Sequence, residues 1–333
     1  MTLIRTEEPI PRERVEKLLT AAAPERLADL DDLWCQYDPR FHRAPDAAGI
    51  TMQANRERVL FDNKTLSVYW LLAFTGWRTL NCYCPAVLAS LAPSILARAF
   101  GVGDEVIAAH VPPTMTIADA LEHDTEVAHV ETYLDEKLYS ARSILRSDVL
   151  DETFWPSDIP WPDVDRESLL GAEAKAAFDL AWMSTAYAFC HEIRHVIYAK
   201  EKNAPTRPQE EAECDRYARE FLTARVSDYA AQTGTDHDKV LAKRSMAGAV
   251  SIFVLYETTA RSSDAGDADY PPIADRMDIT LRDTALPEDD NFWVFYASVL
   301  VAILRRRNRS PAIRAASPRQ LCTLLVEEIR RTS

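Results

Sequence analysis

The sequence lacks an excess of positive charge and a long uninterrupted apolar run. It carries 38 Lys and Arg against 52 Asp and Glu, a formal net charge of −14 over 333 residues. Because nucleic acids are bound mainly by clustered Lys and Arg that release counterions from phosphates, this balance argues against a nucleic-acid partner. The most apolar stretch, residues 79–97, contains two prolines and several polar side chains, whereas a membrane-spanning helix needs about 20 predominantly apolar residues. We therefore predict a buried helical hairpin there, with no transmembrane segment and no membrane partner.

The sequence also lacks a disulfide framework, a signal peptide and internal repeats. Its six cysteines are scattered through the chain rather than spaced as in small disulfide-rich domains. No segment at the start has the basic, apolar and small-residue pattern of a secretory signal. A reducing cytoplasm is therefore the expected compartment.

Apolar residues at helical spacing are abundant instead. The hydrophobic share of 47% is enough to bury at least one full core. Residues 11–36 predict two amphipathic helices interrupted at Pro24, and residues 49–63 predict a short hairpin, which is the main β candidate. From Ser168 onward we predict helices at about 169–202, 208–230, 238–261, 272–284, 290–308 and 318–331. The predicted fold class is mainly α with a small β element.

A proline-rich segment predicts the domain organisation. Residues 154–162 read "FWPSDIPWP", with three prolines and two tryptophans in nine residues, a composition that disfavours helix and strand alike. We place the boundary there. It separates an N-terminal accessory or regulatory region, residues 1–153, from a helical region, residues 154–333, that carries the motif described next.

The segment "HEIRH" contains His191, Glu192 and His195. Residues four apart share one face of an α-helix, so both imidazoles can reach the same point in space with the Glu192 carboxylate beside it. This is the H-E-x-x-H pattern, in which two His bind zinc and the Glu acts as general base toward a water that the zinc activates. The preceding residues 174–190 are helix-compatible and apolar nearly all round, which predicts a buried helix. We expect one zinc ion per chain and a catalytic Glu192.

A catalytic zinc usually takes three protein ligands, so a third must come from elsewhere. The next helix, which begins after two prolines, offers three carboxylates: Glu210, Glu211 and Glu213. A ligating His normally donates its other ring N–H to a carboxylate, and Glu211 with Asp215, four residues later, presents a ligand and such a partner on one face. The residues four after its two neighbours are Cys214 and Tyr217, which are not carboxylates. We favour Glu211 as ligand and leave the other two open.

These motifs resemble those of a known group of enzymes. "HEIRH" followed after fifteen residues by "EAECD" is similar to the gluzincin metallopeptidases, whose pattern is HExxH, then Glu, then Asp four later. The surrounding stretches "DLAWMSTAYAFCHEIRH", "EAECDRYAREFL", "AKRSMAGA" and "PPIADR" look most like the Lit-type phage-exclusion peptidases of bacteria. The resemblance covers roughly residues 150–285.

The resemblance implies a fold and a set of site residues. The fold would be a zincin-like (gluzincin) metallopeptidase core of packed helices. The implied roles are zinc ligands at His191, His195 and Glu211, the base at Glu192, and Asp215 as the residue that orients a ligand His.

A second motif of related proteases is altered here. Heat-shock-type relatives carry His-Pro-Pro with Arg four residues after the second Pro, and this chain reads "YPPIADR". Tyr270 replaces the His and becomes a candidate hydrogen-bond donor to the oxyanion of a tetrahedral intermediate. The alternative is that Tyr270 is only a loop aromatic before two prolines. Arg276 is expected to be a structural partner of an acidic group.

The function implied is a zinc-dependent endopeptidase in antiphage defence. Its partner would be a protein substrate such as a host translation factor, with a phage-derived or host activator controlling it. Two alternatives remain open. One is a regulatory metalloprotease that cleaves a transcriptional repressor, and the other is a non-enzymatic protein in which zinc only holds two helices together. The presence of Glu192 in the motif argues against the non-enzymatic alternative, because a structural zinc site needs no general base.

Overall fold

The fold was analysed in a computed structural model, which describes residues 7–91, 93–110, 115–203, 205–258 and 265–333. Across these residues the chain is mainly helical with one small sheet, as predicted. The strands are β1 Glu8–Ile10, β2 Arg40–Arg43, β3 Met52–Ala54 and β4 Arg58–Phe61. The helices are α1 Arg12–Ala22, α2 Leu27–Tyr37, α3 Asn63–Ala89, α4 Pro93–Phe100, α5 Asp104–His110, α6 Ile117–His123, α7 Thr125–Arg146, α8 Gly171–Glu201, α9 Arg207–Thr223, α10 Val226–Thr233, α11 His237–Thr258, α12 Ile273–Asp283, α13 Asn291–Arg306 and α14 Pro318–Thr332.

The sheet has the strand order β1-β2-β4-β3. The predicted hairpin is present as the antiparallel pair β3 and β4, while β2 runs parallel to β4 and antiparallel to β1. Strands β1 and β2 were missed, because three or four residues are too few to show the alternation that identifies a strand. Within the described residues β3 is an edge strand, and it packs against α8.

Helix α8 is the 31-residue centre of the fold and packs against α3, α9 and α11. Its Ala-rich first half can bury small side chains on every side, so neighbours approach it closely. The helix ends where Lys202 adopts a left-handed conformation with φ of 53°. The chain then turns through Pro205 into α9, in which Pro208 occupies one of the first two helical positions, where its missing N–H costs nothing.

The single helix predicted over residues 208–230 is wrong. Helix α9 ends at Thr223 and α10 begins at Val226. Between them Arg225 leaves helical geometry, with φ of −114° and ψ of 25°, and its guanidinium lies 2.8 Å from the Asp29 carboxylate. The helix therefore breaks here without a Gly or Pro in the sequence. The break coincides with this tertiary ion pair and with the burial of Val226.

The proline-rich segment is irregular, as predicted, apart from a short 3₁₀ turn at Glu152–Phe154. The rings of Trp155 and Trp161 stack with centroids 4.2 Å apart, and Trp70 of α3 donates a hydrogen bond to the Pro160 carbonyl. One hydrophobic core contains residues from both sides of this segment. The division at residue 153 stays a prediction. No helix in the described parts of the chain is both long and apolar enough to cross a bilayer.

Candidate metal centre and active site

The two histidines of the motif lie on the face of α8 that contacts α9. Their rings are nearly perpendicular, at 74°, with centroids 5.0 Å apart. The Nε2 atoms of His191 and His195 are 3.2 Å apart. Spacing of one helical turn brings the two rings together, and both side chains are largely buried.

Glu211 of α9 faces both of these nitrogen atoms. Its Oε2 lies 3.2 Å from His191 Nε2, and its Oε1 lies 3.4 Å from His195 Nε2. Tetrahedral zinc with bonds of about 2.0–2.1 Å holds its ligand atoms about 3.3 Å apart. The two nitrogens are thus separated by close to this distance, and each has one oxygen of the Glu211 carboxylate at a similar distance, an arrangement compatible with ligands of one ion.

The remaining ring nitrogen of each histidine contacts a different carboxylate. His191 Nδ1 is 3.0 Å from Asp215 Oδ1, and His195 Nδ1 is 2.6 Å from Glu210 Oε1. Carboxylates in these positions fix the tautomer and orientation of a ligating imidazole. The sequence reasoning missed Glu210 in this role. The sequence could have indicated this role, because each of the two ligating histidines normally has a partner of this kind.

Cys214 offers an alternative donor on the other edge of His195. Its Sγ lies 3.4 Å from His195 Nδ1, and His191, His195 and Cys214 form a group that can hold a metal ion. One imidazole cannot present Nδ1 and Nε2 to the same ion. Cys214 and Glu211 therefore belong to alternative donor sets, and nitrogen, oxygen and sulfur donors of this kind suit several first-row metals.

Asp215 is buried and bound by a second charged residue. Arg276 of α12 donates to both of its oxygens, with Nε 2.5 Å from Oδ2 and Nη2 2.7 Å from Oδ1. Burial raises the pKa of Asp215, but Arg276 and His191 outweigh it and hold that pKa well below its usual range. Asp215 is therefore a carboxylate that links α8, α9 and α12. Arg276 has the acidic partner that the sequence predicted for it.

The environment of the site raises the pKa values of Glu192 and His191 and lowers the pKa of His195. Burial raises the pKa of Glu192 to about 7, with the Glu211 charge adding to the shift and His191 opposing it. Burial lowers the pKa of His191, but its hydrogen bonds with Asp215 and Glu211 prevail and raise it to about 10. Burial and the neighbouring His191 lower the pKa of His195. The cluster thus attracts positive charge, and a metal ion would take the place of the His191 proton, since ligating His must be neutral.

The comparison with known families decides the class of protein. The family model described as Peptidase U49 matches residues 59–296, which is more than half of the 333 residues. The chain belongs to the Peptidase U49 family. The match runs through most of the region that the sequence analysis treated as accessory. No curated protein and no solved structure matches the chain.

In this U49 peptidase the cluster opens into a cavity of about 700 Å³. Glu192 lies in its wall together with both histidines, Glu211 and the three residues of β3. A cavity of this volume is in the size range of pockets that bind ligands. The accessory region therefore contributes directly to the cavity, which sequence reasoning did not predict because the contact is between distant parts of the chain.

Tyr270 lines the same cavity and is 44% exposed. Its backbone is held in a turn, because the N–H groups of Asp269 and Tyr270 both donate to Asp267 Oδ1 at 2.8 Å. Gly266, with φ of 78°, permits this turn, since a Cβ there would lie 2.7 Å from the Pro272 nitrogen. The side chain lies close to Arg207, which lines the same cavity. The proposed oxyanion role of Tyr270 stays a prediction.

Proposed function

We propose that the chain is a zinc-dependent endopeptidase that binds one zinc ion through His191, His195 and Glu211. The observation that carries the proposal is that the two Nε2 atoms lie 3.2 Å apart and that each lies 3.2–3.4 Å from one oxygen of Glu211, in the wall of a cavity that Glu192 also lines. When bound, the ion supplies Lewis-acid chemistry, acidifying a water and polarising the scissile carbonyl.

Glu192 performs the proton transfers in this proposal. As a carboxylate it accepts a proton from the attacking water, and it then donates that proton to the leaving amine. A pKa raised to about 7 suits both steps, because the group is then neither too weak a base nor too weak an acid near neutral pH. Asp215 and Glu210 orient the two imidazoles, and Tyr270 donates a hydrogen bond to the developing oxyanion.

The substrate binds as an extended segment along β3. In the β3–β4 pair Asp62 N–H donates to the Thr51 carbonyl and Asn55 N–H donates to the Arg58 carbonyl. Antiparallel pairs alternate between bonded and non-bonded positions, so Gln53 also bonds to β4 while the backbone groups of Met52 and Ala54 face the open edge. Free backbone groups on an edge strand recruit a peptide by adding a strand. This supports a protein substrate.

The biological role proposed is antiphage defence in the bacterial cytoplasm. The support is the resemblance of residues 150–285 to the Lit-type phage-exclusion peptidases, together with the membership of a peptidase family. In this role the substrate is a host protein such as a translation factor, and a phage-derived or host activator triggers its cleavage. A narrow substrate range or an activator is needed because an unrestrained cytoplasmic protease would damage the cell.

The proposal is tested by comparing new protein N-termini in cells that express the parent or the Glu192→Gln variant, with and without phage challenge. We expect substrate-derived N-termini only with the parent and chiefly after challenge. Metal analysis of both purified proteins is the control, since the substitution leaves the three ligands intact. Identical N-termini in the two strains under both conditions would exclude a protease, and cleavage of a transcriptional repressor without phage would favour the regulatory alternative.

A further inference from the structure

Arg207 lies beside the candidate metal centre and has no part in the function proposed above. It is the first residue of α9, where a positive charge is unfavourable because it meets the positive end of the helix dipole. Its side chain is 43% exposed, yet it turns toward the site, with Nη2 3.0 Å from Glu211 Oε1 and Nη1 3.3 Å from Glu210 Oε1. Its two ion pairs are with residues three and four positions along α9, which stabilise the helix, and both partners also belong to the candidate metal site.

Glu211 Oε1 is shared between two neighbours. It lies 3.0 Å from the Arg207 guanidinium and 3.4 Å from His195 Nε2. The same oxygen therefore contacts the positively charged Arg207 and faces a nitrogen that would bind the metal ion. Glu211 is only 3% exposed, and a buried carboxylate without a nearby positive charge is costly. In the metal-free protein Arg207 contributes to that charge, together with His191 and Arg276.

We propose that Arg207 is a built-in competitor of the metal ion, which neutralises Glu211 and Glu210 in the metal-free protein and is displaced when a divalent cation binds. This inference rests on the proposed metal site. The physical reason is charge: two positive charges at the donor atoms neutralise the carboxylate and repel the guanidinium at close range. The metal-free form is thereby stabilised, and metal affinity is reduced by the free energy needed to displace Arg207.

Displacement of Arg207 also affects Tyr270, which lines the cavity. The Arg207 side chain lies close to Tyr270, whose backbone is held by the turn at Asp267. Loss of the Arg207 contact releases the Tyr270 side chain into the cavity that Glu192 lines. Metal loading is therefore coupled to the availability of the tyrosine hydroxyl.

The test measures zinc affinity, by competition with a chromophoric chelator, and the melting temperature of the metal-free protein. Arg207→Gln is compared with Arg216→Gln, a matched control on the same helix that is 41% exposed and pairs with Glu213. We expect Arg207→Gln to bind zinc about tenfold more tightly, equivalent to ~1.4 kcal/mol, and to melt at a lower temperature without metal. Arg216→Gln should match the parent in both measurements.

A decrease in zinc affinity in Arg207→Gln would support a different role for Arg207. If Arg207→Gln binds zinc more weakly than the parent, Arg207 holds Glu211 in place as a ligand and the competitor role is overturned. An equal affinity overturns the competitor role as well. Should Arg207→Gln not fold without metal, Arg207→Lys retains the charge but loses the two-pronged contact, and an affinity between those of the parent and a tenfold gain supports the proposal. A parent that binds no zinc removes the proposed function as well, whereas a parent that binds zinc with an unchanged variant removes only the inference about Arg207.

Discussion

Helices α8 and α13 are both central and buried, but only α8 carries charged residues within its buried length. Phe292 to Leu304 of α13 contains no charged residue, and nearly every side chain there is fully buried. Helix α8 buries the motif histidine His195 and partly buries Glu192, opposite the carboxylates Glu211 and Asp215 of α9. Burial of apolar area is stabilising at about 25 cal/mol per Å², whereas each buried charge costs several kcal/mol before it is paired.

The difference indicates which helix serves stability and which serves chemistry. On the face between α8 and α9, Asp215 and Glu210 contact the two imidazoles, and Arg276 donates to Asp215. An apolar interface like that of α13 would be at least as stable and needs none of these contacts. We therefore interpret the polar face as a feature retained for function.

The largest expected effect is on catalysis. Replacing Glu192 by Gln removes the proton acceptor without changing the shape of the side chain, so the rate of substrate cleavage should fall about 10²- to 10⁴-fold. The rate is measured on the cellular substrate found by the comparison of N-termini. Zinc content should stay at one per chain. An active variant would show that α8 carries its charges for another reason.

The next effect is on stability. Asp215→Asn is nearly isosteric but leaves Arg276 buried without its counter-charge, so the free energy of unfolding should fall by about 3–5 kcal/mol. Leu300→Met, an isosteric change at a fully buried position of α13, should cost less than about 1.5 kcal/mol. Denaturant unfolding of the metal-free proteins compares the two. Equal losses would mean that the two helices do not differ as described.

The pH dependence of the rate tests the raised pKa of Glu192. The group acts as a base only when deprotonated, and burial raises its pKa to about 7. The rate should therefore fall about tenfold per pH unit below that pKa and level off above it. A bound cation lowers the pKa, so the midpoint of kcat/KM is expected at or below pH 7. A midpoint well above pH 7, or a flat profile, contradicts this assignment.

The smallest effect concerns substrate binding on β3. Ala54→Pro removes one backbone N–H from the open edge while leaving the hydrogen bonds to β4 in place, a substitution that edge strands tolerate. The loss of one hydrogen bond of about 1 kcal/mol should lower kcat/KM about fivefold. Ala54→Val retains the N–H and is the matched control. If both variants cleave equally well, the substrate does not pair with β3.

The sequence was informative where the signal is local. Helical spacing predicted the helices that carry the site, a short strand pattern predicted the hairpin of β3 and β4, and proline content predicted the irregular segment at residues 154–162. The resemblance to related proteases predicted an acidic partner for Arg276. Sequence reasoning failed at Arg225, where a tertiary ion pair accompanies the break between α9 and α10, and at β1 and β2, which are too short to show a period. The boundary at residue 153 and the oxyanion role of Tyr270 stay predictions.

By itself the sequence determined that His191 and His195 share a helix face with Glu192 beside them, because the geometry of one helix depends only on positions along it. Only the tertiary structure decided which acidic residues of α9 meet the rings, that Arg276 clamps Asp215, and that β3 lines the same cavity. Those contacts depend on the angle and distance at which separate elements pack. Such packing is set by the whole core and has no signature in any short stretch of residues.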